Sequence, residues 1–405
     1  MMTQQQILES PKWIRFTIRE TRCMLLTILI AACLGATQVQ AQAQGYNITN
    51  LDSLGGTNSR GNSVNDRSWV AGYSNLAGNQ SRHATLWRNG SLLDLGTLGG
   101  PNSNVTWNVK NSRGIVVGIA QTATPDPLGE FWSSSAFYPG PNNIGYINLG
   151  FIWEGGQMKP LPTLGGNNGF ATGANNLGQV VGWAENTCHD PTCVPPQVLQ
   201  FRPVVWGPGQ NQIHEFPLIP GDTSGAATAI NDQGQAVGIS GICDQAIGRH
   251  TAKHAVLWDN GKVIDLGNLG ALWWNTPTAI NRRGDIVGFA GDSTFPEGDI
   301  LHAFIWTKSG GLQPLGPLPG HVDSEAYGIN DDQEVVGVSC DADFIDCRAV
   351  VWKNGVVTDL NTLKQPGYTA RLEQGKDINE RGEITGRAID PITGVRTAIL
   401  AVPVQ

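Results

Sequence analysis

Short apolar runs that end in asparagine punctuate the chain at nearly regular intervals. The run Ala227–Ile230 leads into Asn231-Asp-Gln-Gly-Gln-Ala-Val-Gly238, and the same pattern returns with its Asn at 65, 111, 175, 281, 330 and 379. Each time a glycine stands seven places later, at 72, 118, 182, 288, 337 and 386. An array of copies at one internal spacing is a structural repeat. The copy reads as a β-hairpin: the Asn side chain can bond the backbone two residues on, and a glycine in fourth place accepts a left-handed φ. Gly114, Gly178, Gly234, Gly284 and Gly382 supply that glycine, while Ser68 and Gln333 replace it, so looser turns are expected there. The Val-Gly pair is expected to end the second strand.

A second hairpin lies between the copies. Residues 254–270 show it best, with an apolar run closing on Trp258, an Asn260-Gly261 turn and an alternating strand ending in Leu-Gly. Its relatives centre on Trp87, Trp153, Trp206, Trp306 and Trp352. Each unit therefore holds four short strands.

Successive asparagines are 46, 64, 56, 50, 49 and 49 residues apart. Four-stranded units of that size are the blades of β-propellers, because one blade cannot bury both faces alone. Residues 46–56 match only the last strand of a unit, and residues 375–401 supply only the first three. Together they complete one blade. The expected fold is thus an all-β, seven-bladed propeller closed by pairing of its N-terminal and C-terminal strands, with units 57–100, 101–166, 167–221, 222–271, 272–320, 321–365 and 366–401 plus 46–56. An open β array, which would need capped ends, or a differently closed one is the alternative.

Ahead of the array, Lys12, Arg15, Arg19 and Arg22 precede an apolar run at 24–36. Thirteen residues are too few to span a bilayer, so residues 1–43 read as a secretory signal, with the propeller domain at 44–405. Cleavage after Ala43 gives a secreted or periplasmic protein. Cleavage before Cys33, at a lipoprotein-like Ile-Ala-Ala-Cys, gives an outer-membrane lipoprotein instead. No transmembrane segment is expected. Loss of residues 1–43 takes the net charge from −8 to −10, since four basic and two acidic side chains go with them. A chain that acidic is a poor partner for nucleic acid. Charged residues are only 15% of the sequence against 52 glycines, a balance that favours strands and turns over helices.

Cysteines in an exported chain point to disulfides. Cys188 and Cys193 share one insert, and Cys340 and Cys347 another, which suggests two local bridges and leaves Cys243 without a partner.

His-Ala-Thr-Leu-Trp, His254-Ala-Val-Leu-Trp258 and His302-Ala303-Phe304-Ile-Trp306, with their Leu-Gly-Gly and Ile-Asn-x-x-Gly companions, resemble the bacterial extracellular HAF-repeat family over nearly all of 46–401. The resemblance implies an extracellular repeat protein and no particular activity. The unit at 203–221 departs from it most.

Because His83, His254 and His302 recur at one place, packing explains them better than catalysis, and the same holds for the blade tryptophans. Strand alternation sends the short Asn turns to one end of the ring. The inserts at 119–150, 183–202, 239–253, 289–301 and 338–348 go to the other. There the aromatic residues Trp107, Phe131, Trp132, Phe137, Tyr138, Trp273 and Trp274 are candidates for stacking on sugar rings or anchoring a peptide. The leading expectation is a non-enzymatic, monomeric binding module or scaffold for a polysaccharide or another envelope component, without cofactor. A glycoside hydrolase or polysaccharide lyase using insert carboxylates (Asp126, Glu130, Asp292, Glu297, Asp299, Asp341, Asp343) is one alternative. A protein–protein assembly module of the envelope is another. The acidic loop with Asp341, Asp343 and Asp346 is a weak cation candidate, since it lacks the glycine and terminal glutamate of an EF-hand.

Overall fold

The computed structural model describes residues 45–130, 137–140, 145–207, 212–244, 249–291 and 300–404. Residues 1–44, Cys33 included, lie outside these, as do Phe131, Trp132, Asp292, Glu297 and Asp299. Residues from 44 onward make one compact unit. It is all-β and built from four-stranded antiparallel sheets, consistent with a β-propeller. None of its helices is long and apolar enough to cross a membrane, among the described residues.

Ser224–Ile230, Ala236–Gly241, His254–Asp259 and Lys262–Asp265 form one such sheet, in chain order. Four others repeat it, with first strands Gly99–Asn104, Gly169–Ala174, Thr276–Ile280 and Asp323–Ile329. The remaining strands assemble into an eight-stranded sheet. Half of it starts from Gly55–Val64 and half from Arg371–Ile378, and a single parallel bridge between Asn58 and Arg396 joins the halves. Within it the N-terminal strand Tyr46–Asn50 lies antiparallel to Arg396–Pro403, from Tyr46 opposite Pro403 to Asn50 opposite Ile399.

The repeated Val-Gly glycine does not end its strand; Gly238 lies inside Ala236–Gly241. A β-bulge between Ala227 and Ala229 pushes the first strand toward it. A Cβ on Gly238 would fall on the carbonyl oxygen of Ala226, and the same collision awaits at the other six copies. Close backbone approach, not turn geometry, explains this glycine. The bulge also turns Thr228 toward the next sheet, where its hydroxyl reaches the Pro277 carbonyl at 2.7 Å. Thr172 and Thr278 do the same to Ala227 and Ala326.

The turns at Ser68 and Gln333 are as tight as the glycine ones. Both residues have φ of 57°, in the left-handed region, and their N–H groups donate to Asn65 and Asn330 at 3.0 and 3.1 Å. The asparagine explains why glycine is dispensable: its Oδ1 accepts from two N–H groups inside the turn, as Asn330 does from Asp332 and Glu334, and this fixes the loop.

In six of the seven copies the Asn Nδ2 then reaches the next unit. Asn175 donates to the carbonyl of Asn231, Asn231 to Asn281, Asn281 to Asn330, Asn330 to Asn379, Asn379 to Asn65, and Asn65 to Asn111, at 3.0–3.3 Å. Asn111 turns back to Ile115, and the Ser112 N–H donates to Asn176 Oδ1 instead.

Apolar residues fill the spaces between sheets; Val237 and Leu257 pack with Ile280, Ile286 and Phe304 of the following sheet. The third-strand tryptophans add a directional tie. Trp87, Trp206, Trp258 and Trp352 donate Nε1 to the carbonyls of Asp52, Pro162, Pro217 and Gly316, each in the exit of the preceding unit's outer strand. His83 and His254 bond across to Asp94 and Asp265, at 2.9 Å in both cases, so they join third strand to fourth.

One disulfide differs from expectation. Cys193 pairs with Cys243, not with Cys188, which is exposed and free. The chain after Asp190 turns back, so that Cys193 bridges to Asp244 and the Thr192 hydroxyl accepts from the Cys243 N–H. Cys188 stays at the tip of Val180–His189. Cys340 and Cys347 are bonded to each other.

Candidate functional site

The first strands differ at one place. Five residues before the Asn, the units starting at 169 and 224 carry Phe170 and Ala226, opposite Trp183 and Ile239. The units starting at 55, 323 and 371 carry Arg60, Glu325 and Gln374, and Tyr73 and Arg387 stand opposite Arg60 and Gln374. One layer of the array is thus aromatic on one side and charged on the other.

Tyr73 is the hub of the charged side. It is buried, with the Arg82 guanidinium 3.8 Å and that of Arg60 5.3 Å from its ring centroid. Arg60 donates to Gln374 Oε1 at 3.1 Å, and its Nε is buried without a protein partner. Arg82 donates to Asn75 Oδ1 and to the Phe137 carbonyl, both neutral acceptors. Arg387 shares Glu373 with Arg396, at 2.9 and 3.3 Å. Nearby, Lys376 Nζ sits 3.0 Å over the Tyr327 ring, and the Tyr327 hydroxyl donates to Glu325 at 2.6 Å.

Electrostatics follow from this crowding. Burial raises the pKa of the Tyr73 hydroxyl, but Arg60, Arg82 and Arg387 outweigh it and bring the value down to about 8. Burial lowers both Arg60 and Arg82 from the usual guanidinium range, partly offset by Tyr73. Lys376 is pushed well down by burial and then by Arg60. Asp323 is lifted to about 7 by burial and then by Glu325.

The aromatic side comprises Phe170, Trp183 and Phe201, with Phe137, Tyr138 and Trp107 against them. Tyr138 is buried, and among the described residues neither its hydroxyl nor Trp107 Nε1 has a hydrogen-bond partner. Of the aromatic candidates, then, Trp107, Phe137 and Tyr138 come together beside Arg82. Trp273 and Trp274 stand apart on the connection into Thr276–Ile280, half-buried, with Arg249 5.0 Å over the Trp273 ring. Asn108 Nδ2 and Lys110 Nζ reach from the second unit to the carbonyls of Tyr327 and Ile329 in the sixth, both at 2.7 Å.

At the asparagine end of the first strands lies a polar recess of about 130 Å³, lined by Asp66, Asp232, Arg282, Glu380 and the turn asparagines. Its side chains serve mostly as stitches: Asp232 takes both bonds of Asn176, and Asp331 binds Arg282.

Two insert carboxyls, Glu130 and Glu185, meet under Gln197, whose Nε2 lies 3.2 and 3.0 Å from them. Both are fully buried. Burial, then Glu130, lifts Glu185 to about 8; burial raises Glu130 as well. Glu130 accepts the N–H groups of Val198 and Leu199, and Glu185 those of Asn167 and Asn168. Asp126 binds the Asn167 and Asn168 side chains. These bonds anchor loops. In the acidic loop, Asp341 accepts from the N–H groups of Ile345 and Asp346, Asp346 pairs with Arg348 and Arg371, and Asp343 is exposed. Among the described residues no cluster of three His, Cys, Asp or Glu side chains is placed to hold a metal.

The charged layer was readable in principle. Aligning the repeats on Asn puts Arg60, Glu325 and Gln374 where other copies carry Phe, Ala or Thr.

No family description and no curated relative matches the chain. Among solved structures, it is similar to a gluconolactonase of Xanthomonas campestris, with 9% identity and a TM-score of 0.33 over 63% of this chain and 79% of that one.

Proposed function

We propose that this is a secreted, non-enzymatic binding module of the HAF-repeat type, a seven-bladed propeller that takes a glycan of the cell envelope at the layer around Tyr73. The ring reading draws on the strand pairing of Tyr46–Asn50 with Arg396–Pro403 and on the asparagine bonds that run from unit to unit. Two disulfides fit an oxidising compartment. The observation that carries the ligand reading is the division of one layer into an aromatic wall with Trp107 and a hydrogen-bonding wall with Arg60, Gln374 and Tyr327. Sugar recognition needs both, since a pyranose presents an apolar face and a rim of hydroxyls.

Titration calorimetry of the chain lacking residues 1–44 against a broad panel of envelope oligosaccharides is the test. Saturable binding that Trp107→Ala weakens supports the reading. Heats at background across the panel, or binding indifferent to Trp107→Ala, reject it.

A further inference from the structure

The arginines around Tyr73 are unusual in what they lack. Elsewhere most arginines of the described chain face a carboxylate: Arg113 faces Glu154, Arg202 Glu215, Arg282 Asp331, Arg348 Asp346 and Asp359, Arg381 Glu383. Arg60 and Arg82 make their hydrogen bonds to amide oxygens and lie over an aromatic face, and the one carboxylate acting on Arg60, Glu325, does so without a hydrogen bond to it. Arg387 has Glu373, but that carboxylate also serves Arg396. A guanidinium taken from water without a directly bonded opposing charge is costly. The whole chain carries a net charge of −8, so this local excess of positive charge runs against its composition. Among the described residues Arg60 Nε is buried and donates to nothing, and the Tyr138 hydroxyl, on the Arg82 side, is likewise unpartnered.

Resting on the glycan reading above, we infer that the ligand is an acidic saccharide, and that Arg60, Arg82 and Arg387 receive the carboxylate of a uronic acid residue beside Tyr73. The planar fork of a guanidinium matches a carboxylate bidentately, which a neutral sugar hydroxyl cannot exploit. The aromatic wall with Trp107 and Tyr138 then takes the apolar ring face. In the free protein the three arginines favour the phenolate form of Tyr73. A bound carboxylate competes with that phenolate and drives the Tyr73 hydroxyl back toward its ordinary, higher ionisation range.

Two measurements on the chain lacking residues 1–44 test this. Calorimetry compares trigalacturonate with galactotriose, its uncharged counterpart. Spectrophotometric titration follows phenolate absorbance, with Tyr73→Phe identifying the Tyr73 step. Trigalacturonate binding at least tenfold tighter than galactotriose, weakened tenfold by Arg60→Gln and less by Arg60→Lys, is expected, together with an upward move of the Tyr73 midpoint. Equal affinity for the two saccharides overturns the carboxylate assignment and leaves the glycan reading standing. If neither saccharide binds but acetate raises the midpoint, the carboxylate site holds and the glycan reading falls. A midpoint that responds to sulfate or phosphate and not to acetate or galacturonate overturns the site, as does one that responds to none. The titration uses wild-type protein, so a misfolded arginine variant does not decide the result.

Discussion

Asn379 donates its Nδ2 to the backbone carbonyl of Asn65 across 3.0 Å, though 314 residues separate them in sequence. The same carboxamide reaches Glu383 Oε2 at 2.6 Å, and its oxygen accepts from the N–H groups of Arg381 and Glu383. One side chain thus sets its own turn and fastens the last repeat to the first.

Asn379→Ala leaves several buried polar groups unpaired at once. Each costs about 1–3 kcal/mol, so the substitution is expected to destabilise by roughly 3 kcal/mol or more and to lower the melting temperature by several degrees. Thermal unfolding followed by circular dichroism checks it. A change within experimental scatter would show that water replaces the carboxamide without loss.

Trp258 is fully buried, stacks on Phe216 at 4.8 Å and donates to Pro217. Trp258→Ala is expected to cost about 3–5 kcal/mol. Trp258→Phe keeps most of the packing and loses the bond to Pro217, so it should cost less. Chemical denaturation of the two variants separates packing from the hydrogen bond.

Much of this architecture could be read from the amino acids. The asparagine repeat, its partner hairpin centred on tryptophan and the strands that result are all local, because a turn and a period-two pattern are written in neighbouring residues. What escaped was set by distant contacts. Cys243 reaches Cys193 across 50 residues only because two inserts lie side by side. Ser68 and Gln333 keep a glycine-like turn because an asparagine four residues wide in its reach holds the loop. Phe131 and Trp132 lie outside the described residues.

Cys243→Ser opens the 50-residue loop and should cost about 4 kcal/mol by loop entropy. In native protein lacking residues 1–44, Cys188 should react with a thiol reagent at once and be the sole cysteine to do so. Mass spectrometry of the labelled, unreduced protein decides: label on Cys193 or Cys243 contradicts this pairing.

Stability should fall as pH rises from the acid side of neutrality. Glu185, Asp323 and Asp377 have folded-state values lifted to about 8, 7 and 6, each chiefly by burial. A carboxyl raised on folding binds its proton more tightly in the native chain. Its contribution is full below the unfolded value and is lost on the way up to the folded one. Asp94, Asp190 and Asp346 are lowered and act only in stronger acid, below the ordinary aspartate range. The melting temperature should therefore be higher near about pH 5 than about pH 8, with a shallower slope in Glu185→Gln. A flat or rising profile over that interval would contradict the burial of these groups.

The pairing of Tyr46–Asn50 with Arg396–Pro403 has a bearing on biogenesis. Tyr46–Asn50 must wait for Arg396–Pro403, so this sheet stays incomplete until that distant strand has been made. During that interval an unsatisfied edge is exposed to passing chains, and a holding chaperone is the natural guard for it.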